Sequence, residues 1–86
     1  MGVDGVHVAS RAAAAVAGRM RRIVDAVRSA GATSPFTAHR LADLDLEEDW
    51  LVERLVNRQV LRQAEPGRYY LDEKAWQALR RARGRP

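Results

Sequence analysis

The chain has 86 residues, no cysteine, two histidines and a formal net charge of +4. A chain of this length forms one domain at most and buries only about 60–65% of its unfolded surface, so a deep catalytic cleft or an inserted cofactor fold is excluded. Without cysteine there is no disulfide or thiolate metal site, and two histidines are too few for an imidazole site. We therefore expect a small non-enzymatic binding module without cofactor or metal.

No membrane segment or secretory leader is predicted. The uncharged run at residues 12–18 is much shorter than the ~20 residues that a membrane helix needs. Arg11 interrupts the mildly apolar N-terminal segment, and no basic segment precedes it. These features predict a cytoplasmic protein with no membrane partner.

The first predicted element is a long amphipathic helix from Ser10 to about Ser29. Gly18 weakens it, so a start after Gly18 or a bend there is the alternative. Residues 1–9 contain two glycines and little periodicity, so we expect a flexible N-terminus there. Gly31 is expected to end the helix in the left-handed conformation. Along this helix, apolar residues recur at alternating spacings of four and three, which predicts one apolar stripe. Its members are Ala9, Ala13, Val16, Met20, Ile23, Val27 and Ala30.

Two further helices are predicted after a loop at residues 32–36. Thr37 is a suitable N-cap for a short second helix, with a hydrophobic staple between Phe36 and Leu41. A third helix is expected from about residue 45 to residue 58, and three carboxylates in its first turn suit the helix dipole. Its predicted buried face consists of Val52, Leu55 and Val56, with Leu51 at the edge.

The C-terminal third changes to strand periodicity. Residues 60–64 and 68–71 predict two strands joined by a turn at residues 65–67, with Tyr69 and Tyr70 on opposite faces. Asp72 is expected to cap a last helix, with Leu71 and Trp76 as its staple. A basic tail then follows from Arg80 onward.

The order helix, short helix, helix, hairpin, helix resembles a winged helix-turn-helix domain over residues 18–82. The resemblance lies in LADLDL (residues 41–46), LVNRQVLR (residues 55–62) and GRYYL (residues 67–71). It implies an α+β, mostly helical fold in which a three-helix core carries a hairpin wing at about 60–71 and a C-terminal helix. Here an extended N-terminal helix is added; the expected domain covers residues 10–83, and residues 84–86 end a basic tail. Asp45 and Gln59 stand where the family often has glycine.

The resemblance implies DNA binding and transcription regulation, with the third helix in the major groove of double-stranded DNA and the wing against the backbone. The charges oppose this in part, because residues 41–59 carry two arginines and six carboxylates, a net charge of −4, while the basic excess lies on the flanks. The candidate phosphate contacts are Arg40, Arg54, Arg58, Arg62, Arg68, Arg80 and Arg81.

The alternative is a protein-interaction module. A helical wheel places Trp50 opposite the buried face, with Glu53, Arg54 and Asn57 around it. Tryptophan and arginine are enriched at interface hot spots, so this face suits a protein partner. The competing interpretation, that Trp50 folds over its own core, stays open at this stage. DNA binding is placed first and protein interaction second.

The N-terminal stripe suggests a homodimer. Ala9, Ala13, Val16 and Met20 form a seam with near-heptad spacing, and its small residues allow two helices to approach closely. The alternative is that the same residues pack on their own domain. We expect the dimer, because added apolar surface helps so small a core.

Overall fold

The fold consists of three α-helices and a three-stranded antiparallel sheet. The computed structural model describes the backbone of residues 2–84 and the side chains of residues 11–82. This composition confirms the expected α+β class. The elements in chain order are α1 (Gly2–Ser29), a first 3-10 helix (Pro35–Thr37), β1 (His39–Arg40), a second 3-10 helix (Leu41–Leu44), α2 (Trp50–Asn57), β2 (Leu61–Glu65), β3 (Arg68–Leu71) and α3 (Glu73–Gly84).

Helix α1 is longer than the sequence pattern predicts. It begins at Gly2 rather than at Ser10, so the segment expected to lack structure is helical from its second residue. Once a helix has nucleated, each further residue adds one backbone hydrogen bond, and no proline interrupts this segment. The apolar periodicity marks the residues that pack against the core. It does not mark where the helix begins, so the start predicted from it is wrong.

Three helical segments end in the same way, with one left-handed residue. Gly31, Asp45 and Gln59 have φ values of 75°, 57° and 63°. Each donates its backbone N–H to the carbonyl three residues earlier, and the following N–H reaches back five residues. This pair of bonds is the Schellman motif. The sequence predicts the left-handed conformation at Gly31. Asp45 and Gln59 adopt the same conformation, which glycine favours.

Replacing Gln59 by glycine should therefore stabilise the domain. A left-handed residue with a Cβ costs about 1–2 kcal/mol, and the larger unfolded-state entropy of glycine offsets part of the gain. We expect a net increase of about 0.5–1 kcal/mol in the free energy of unfolding, measured by urea denaturation. Gly31→Ala is the reverse control, because a Cβ there meets no atom within 4 Å and only backbone strain remains. A destabilised Gln59→Gly would contradict the strain argument.

The region predicted as the second helix differs from expectation. Ser34, not Thr37, occupies the N-cap position of the first 3-10 helix, and the Thr37 hydroxyl oxygen accepts the Ser34 backbone N–H at 3.1 Å. Phe36 is 97% exposed, so it forms no staple with Leu41. Pro35 accounts for the shift, because proline favours the first position of a helix. That position lies two residues before Thr37, the predicted cap.

Helix α2 begins at Trp50, later than predicted, because Asp49 caps it. The Asp49 carboxylate accepts the backbone N–H groups of Leu51 and Val52 at 3.0 and 3.2 Å. Leu51 is fully buried and Val56 only half-buried, so the two exchange their predicted places at the edge of the buried face. The helix is thus rotated slightly from the orientation that the wheel predicts.

The sheet has the order β1-β3-β2. The predicted hairpin is confirmed, with Leu61 opposite Leu71 and an irregularity between Gln63 and Glu65. Strand β1 was not predicted, because two residues are too short for an alternation signal. Tyr69 is buried and Tyr70 is half-buried, as the alternation requires.

One hydrophobic core joins all three helices to the sheet. An exposed ion pair also joins α1 to α3, because Arg28 donates to both carboxylate oxygens of Glu73 at 2.6 and 3.0 Å. This hydrogen bond holds the pKa of Glu73 below its ordinary value. The buried hydrophobic side chains are Met20, Ile23, Val24, Val27, Ala32, Leu41, Leu51, Val52, Leu55, Val60, Leu61, Tyr69, Leu71 and Trp76.

Helix α3 starts as predicted and extends further than predicted. The Asp72 carboxylate accepts the backbone N–H of Ala75 at 3.0 Å, which lowers its pKa. The helix continues to Gly84, so Arg80 and Arg81 lie on a helix rather than in a tail. Alanine, leucine and arginine are strong helix formers, which explains the extension.

Candidate interaction surface

The exposed face of α2 carries the tryptophan that the helical wheel placed there. Trp50 is 54% exposed, and Glu53, Arg54 and Asn57 are exposed beside it. This exposure decides against the interpretation in which Trp50 covers its own core. The four candidate protein-interface residues therefore share one accessible surface.

Asp49 anchors this face to α1. Its carboxylate, which already caps α2, also accepts a hydrogen bond from the Arg19 guanidinium. That bond is the main reason why the pKa of Asp49 lies below its ordinary value, followed by the bond from the Val52 N–H. One side chain thus fixes both the start of α2 and its position against α1, which sets the direction of Trp50.

The flank of α2 nearest the sheet is acidic. The Tyr69 hydroxyl donates a hydrogen bond to Glu48, and this bond, burial and the charges of Glu48 and Glu53 together raise the pKa of Tyr69 to about 12. A cleft of about 340 Å³ opens here, and it is lined by Glu48, Glu53, Val56, Asn57 and Tyr69.

The opposite flank of α2 is basic. Arg54 and Arg58 are one turn apart and lie beside a groove of about 490 Å³. The rest of the groove is apolar and comes from α1 and α3: Ala12, Ala13, Val16, Met20, Leu79 and Ala82. The exposed face of α2 is therefore divided, with carboxylates towards the sheet and guanidinium groups towards α1.

Three other arginines proposed for DNA binding lie on the outer face of the sheet. Arg40 pairs with Arg68 across β1 and β3, and Arg62 pairs with Tyr70 across β2 and β3. Two of them already form ion pairs, because Arg62 donates to Asp72 at 2.9 Å and Arg68 lies 3.5 Å from Glu65. A phosphate group would compete with these carboxylates.

The last two DNA candidates, Arg80 and Arg81, lie on α3. The Arg80 guanidinium lies 5.9 Å from the centre of the Trp76 ring, within cation–π range, and Arg81 is exposed. The seven candidate arginines thus lie in three places, namely one flank of α2, the outer face of the sheet, and α3. The structure brings together Arg54 with Arg58 and Arg40 with Arg68, whereas DNA contact itself stays a prediction.

The predicted dimer seam is incomplete. Met20 is only 2% exposed and belongs to the core of its own domain, so its assignment to a dimer contact is wrong. It is buried because α2 and the sheet cover the C-terminal half of α1. Val16 is half-buried against the same core, Ala13 is exposed, and the Ala9 side chain lies outside the described residues.

Two features of the surface are not predicted from the sequence. The hydrogen bond between Tyr69 and Glu48 joins residues 21 positions apart, and no local sequence pattern indicates it. The N-cap role of Asp49 had a usable signal, an aspartate directly before an apolar helical run. The run of three carboxylates at residues 47–49 indicates only a favourable charge at the helix start and does not single out Asp49.

Other kinds of site are not found in the described part of the chain. Within it, no group of three or more His, Asp or Glu side chains could hold a metal ion. Among the same residues, no helix is long and apolar enough to cross a membrane.

Comparisons with known proteins give no assignment. No family model matches the chain, and no curated protein or solved structure matches it.

Proposed function

We propose that the chain is a non-catalytic winged-helix module that binds another protein through the exposed face of α2. The observation that carries the proposal is the exposure of Trp50, more than half of whose surface is open to solvent on a helix whose buried side packs in the core. Large exposed aromatics on rigid elements are typical of interface hot spots.

Two features support the winged-helix part of the proposal. The α-helices and the hairpin follow each other in the order that the resemblance implies, and the 3-10 helix Leu41–Leu44 stands at the place of the short second helix. Asp45 and Gln59, which replace the glycines often found in that family, both have positive φ. A backbone that favours glycine at both positions fits the tight turn and the helix end expected there.

Charge at the start of α2 weighs against its insertion into DNA. In helix-turn-helix proteins the N-terminal residues of the recognition helix contact the base edges. Here that end is preceded by Glu47, Glu48 and Asp49, and Glu53 follows in its first turn. Carboxylates facing phosphates are repelled, so a protein surface is the better partner.

Replacing Trp50 by alanine should abolish partner capture. A central hot-spot residue contributes at least about 2 kcal/mol, so retention should fall about 30-fold or more. The measurement is affinity capture on the immobilised protein from extracts of the source cells, with the retained proteins identified by mass spectrometry.

Phe36→Ala is the matched control for this test. Phe36 is the other large exposed aromatic, and its 3-10 helix contacts β2 and β3. Proteins retained by the wild type and by Phe36→Ala but lost by Trp50→Ala support the proposal. Unchanged retention by Trp50→Ala, or equal loss in both variants, contradicts it.

DNA binding is the second candidate, favoured by Arg54 and Arg58. Both are exposed and lie beside the α1 groove, away from the acidic flank. If they contact phosphates, binding to random duplex DNA should weaken steeply as salt rises, and the double variant Arg54→Gln/Arg58→Gln should reduce the slope of log K against log salt by about 2. Fluorescence anisotropy measures this, with Arg21→Gln/Arg22→Gln on α1 as the charge-matched control. No binding at low salt would exclude this candidate.

A further inference from the structure

The cleft between α2 and β3 has the size and composition of a receptor for one side chain. Its volume of about 340 Å³ lies near the lower end of the range of ~300–1,000 Å³ found for ligand pockets. Glu48 and Glu53 supply carboxylates, Asn57 an amide, and Val56 and Tyr69 apolar surface. None of the lining residues is basic. An aliphatic chain ending in a cation would match this lining.

Both carboxylates act on the same part of the cleft. Glu48 accepts the Tyr69 hydroxyl, and the negative charges of Glu48 and Glu53 both raise the pKa of that hydroxyl. Among the described residues, neither Glu48 nor Glu53 forms an ion pair, whereas Asp49, Glu65, Asp72 and Glu73 each do. The cleft therefore keeps negative charge that no ion pair with a described residue neutralises.

Trp50 extends this surface by one helical turn. It lies three residues before Glu53, a spacing that makes the two side chains neighbours on the helix. The face of a tryptophan ring is the best aromatic acceptor of a cation–π contact, from either an ammonium or a guanidinium group. A cationic side chain in the cleft and a second one on the ring could therefore belong to one short segment.

The sign of the local charge is opposite to that of the whole protein. Residues 41–53 hold six carboxylates and no basic residue, in a chain whose net charge is +4. A cationic partner is repelled by the protein as a whole and attracted to this surface. Arg54 on the other side of Trp50 limits the attraction to the flank nearest the sheet.

We propose that the acidic side of this face binds a basic segment of the partner protein. One arginine or lysine side chain enters the cleft between Glu48 and Glu53, and a neighbouring cation stacks on Trp50. The inference rests on the proposed protein-binding function and adds the chemistry of the partner.

The test uses the full chain and a fluorescein-labelled hexa-arginine peptide, with binding followed by anisotropy. Glu48→Gln and Glu53→Gln keep the side-chain shape and should each weaken binding about fivefold, as should Trp50→Ala. Glu65→Gln removes the same charge from the hairpin and should change the affinity less than twofold. A labelled hexa-glutamate peptide should not bind.

Two results would overturn the inference. One is the absence of hexa-arginine binding at low salt, and the other is an equal effect of Glu65→Gln and Glu53→Gln, which would indicate diffuse attraction. Circular dichroism of each variant shows that the fold is retained. If hexa-arginine fails to bind while Trp50→Ala still abolishes partner capture, only the partner chemistry is wrong; if Trp50→Ala leaves capture unchanged, the protein-binding function itself fails.

Discussion

Replacing Trp76 by alanine should cost about 3–5 kcal/mol of folding free energy. Trp76 is only 5% exposed and lies in the single core that joins the three helices to the sheet. Its removal leaves a cavity that such a core cannot close, because the surrounding side chains belong to elements held by their own hydrogen bonds. Since small domains are stable by only about 5–15 kcal/mol, this loss should remove a large part of the free energy of unfolding.

The matched control is the other tryptophan. Trp50→Ala removes the same side chain from a position that is 54% exposed, and surface substitutions change stability by about 0.5 kcal/mol or less. Urea denaturation followed by far-ultraviolet circular dichroism compares the two variants without relying on tryptophan emission. A large loss of stability in Trp50→Ala would mean that this residue belongs to the core, and the protein-binding proposal would lose its basis.

Replacing Leu51 by alanine should cost about 2–5 kcal/mol, and Val56→Ala only about 1 kcal/mol. Leu51 is fully buried, while Val56 is half-buried and lines the cleft beside Tyr69. The sequence pattern predicts the reverse order, with Val56 in the buried face and Leu51 at its edge. The two variants therefore measure the rotation of α2 directly.

The rotation matters for function because it sets which side chains are accessible. With Leu51 in the core, Glu53 and Asn57 turn towards the sheet and Arg54 towards α1. Urea denaturation of both variants is the measurement. A larger loss of stability in Val56→Ala than in Leu51→Ala would place the acidic and basic flanks of α2 elsewhere and would contradict the surface described above.

Much of the fold was predictable because local chemistry encodes it. Asp72 caps α3, Gly31 ends α1, and Pro66 with Gly67 turns the hairpin, and each depends on interactions within a few residues. The position of Trp50 opposite the buried residues was also predictable from helical geometry, whereas its exposure was decided by the tertiary structure.

The candidate surface was predictable only in part, because its charges are set by distant partners. Arg19 binds Asp49 over 30 residues and Arg28 binds Glu73 over 45, so two arginines of α1 hold the fold together. Arg62 and Arg68 are likewise taken by Asp72 and Glu65. Charge counting along the chain cannot separate such paired arginines from accessible ones.

The sequence by itself determined the α+β class, the order of the helices and hairpin, and the acidic character of the segment around α2. Those properties follow from periodicity, capping and composition, which act over a few residues. Only the tertiary structure decided that Met20 belongs to the core, that α2 is rotated towards Leu51, and that Glu48 and Glu53 meet at Tyr69. These depend on which surfaces pack together. In a chain whose net charge of +4 would suggest nucleic acid, that packing leaves Trp50 exposed beside negative charge.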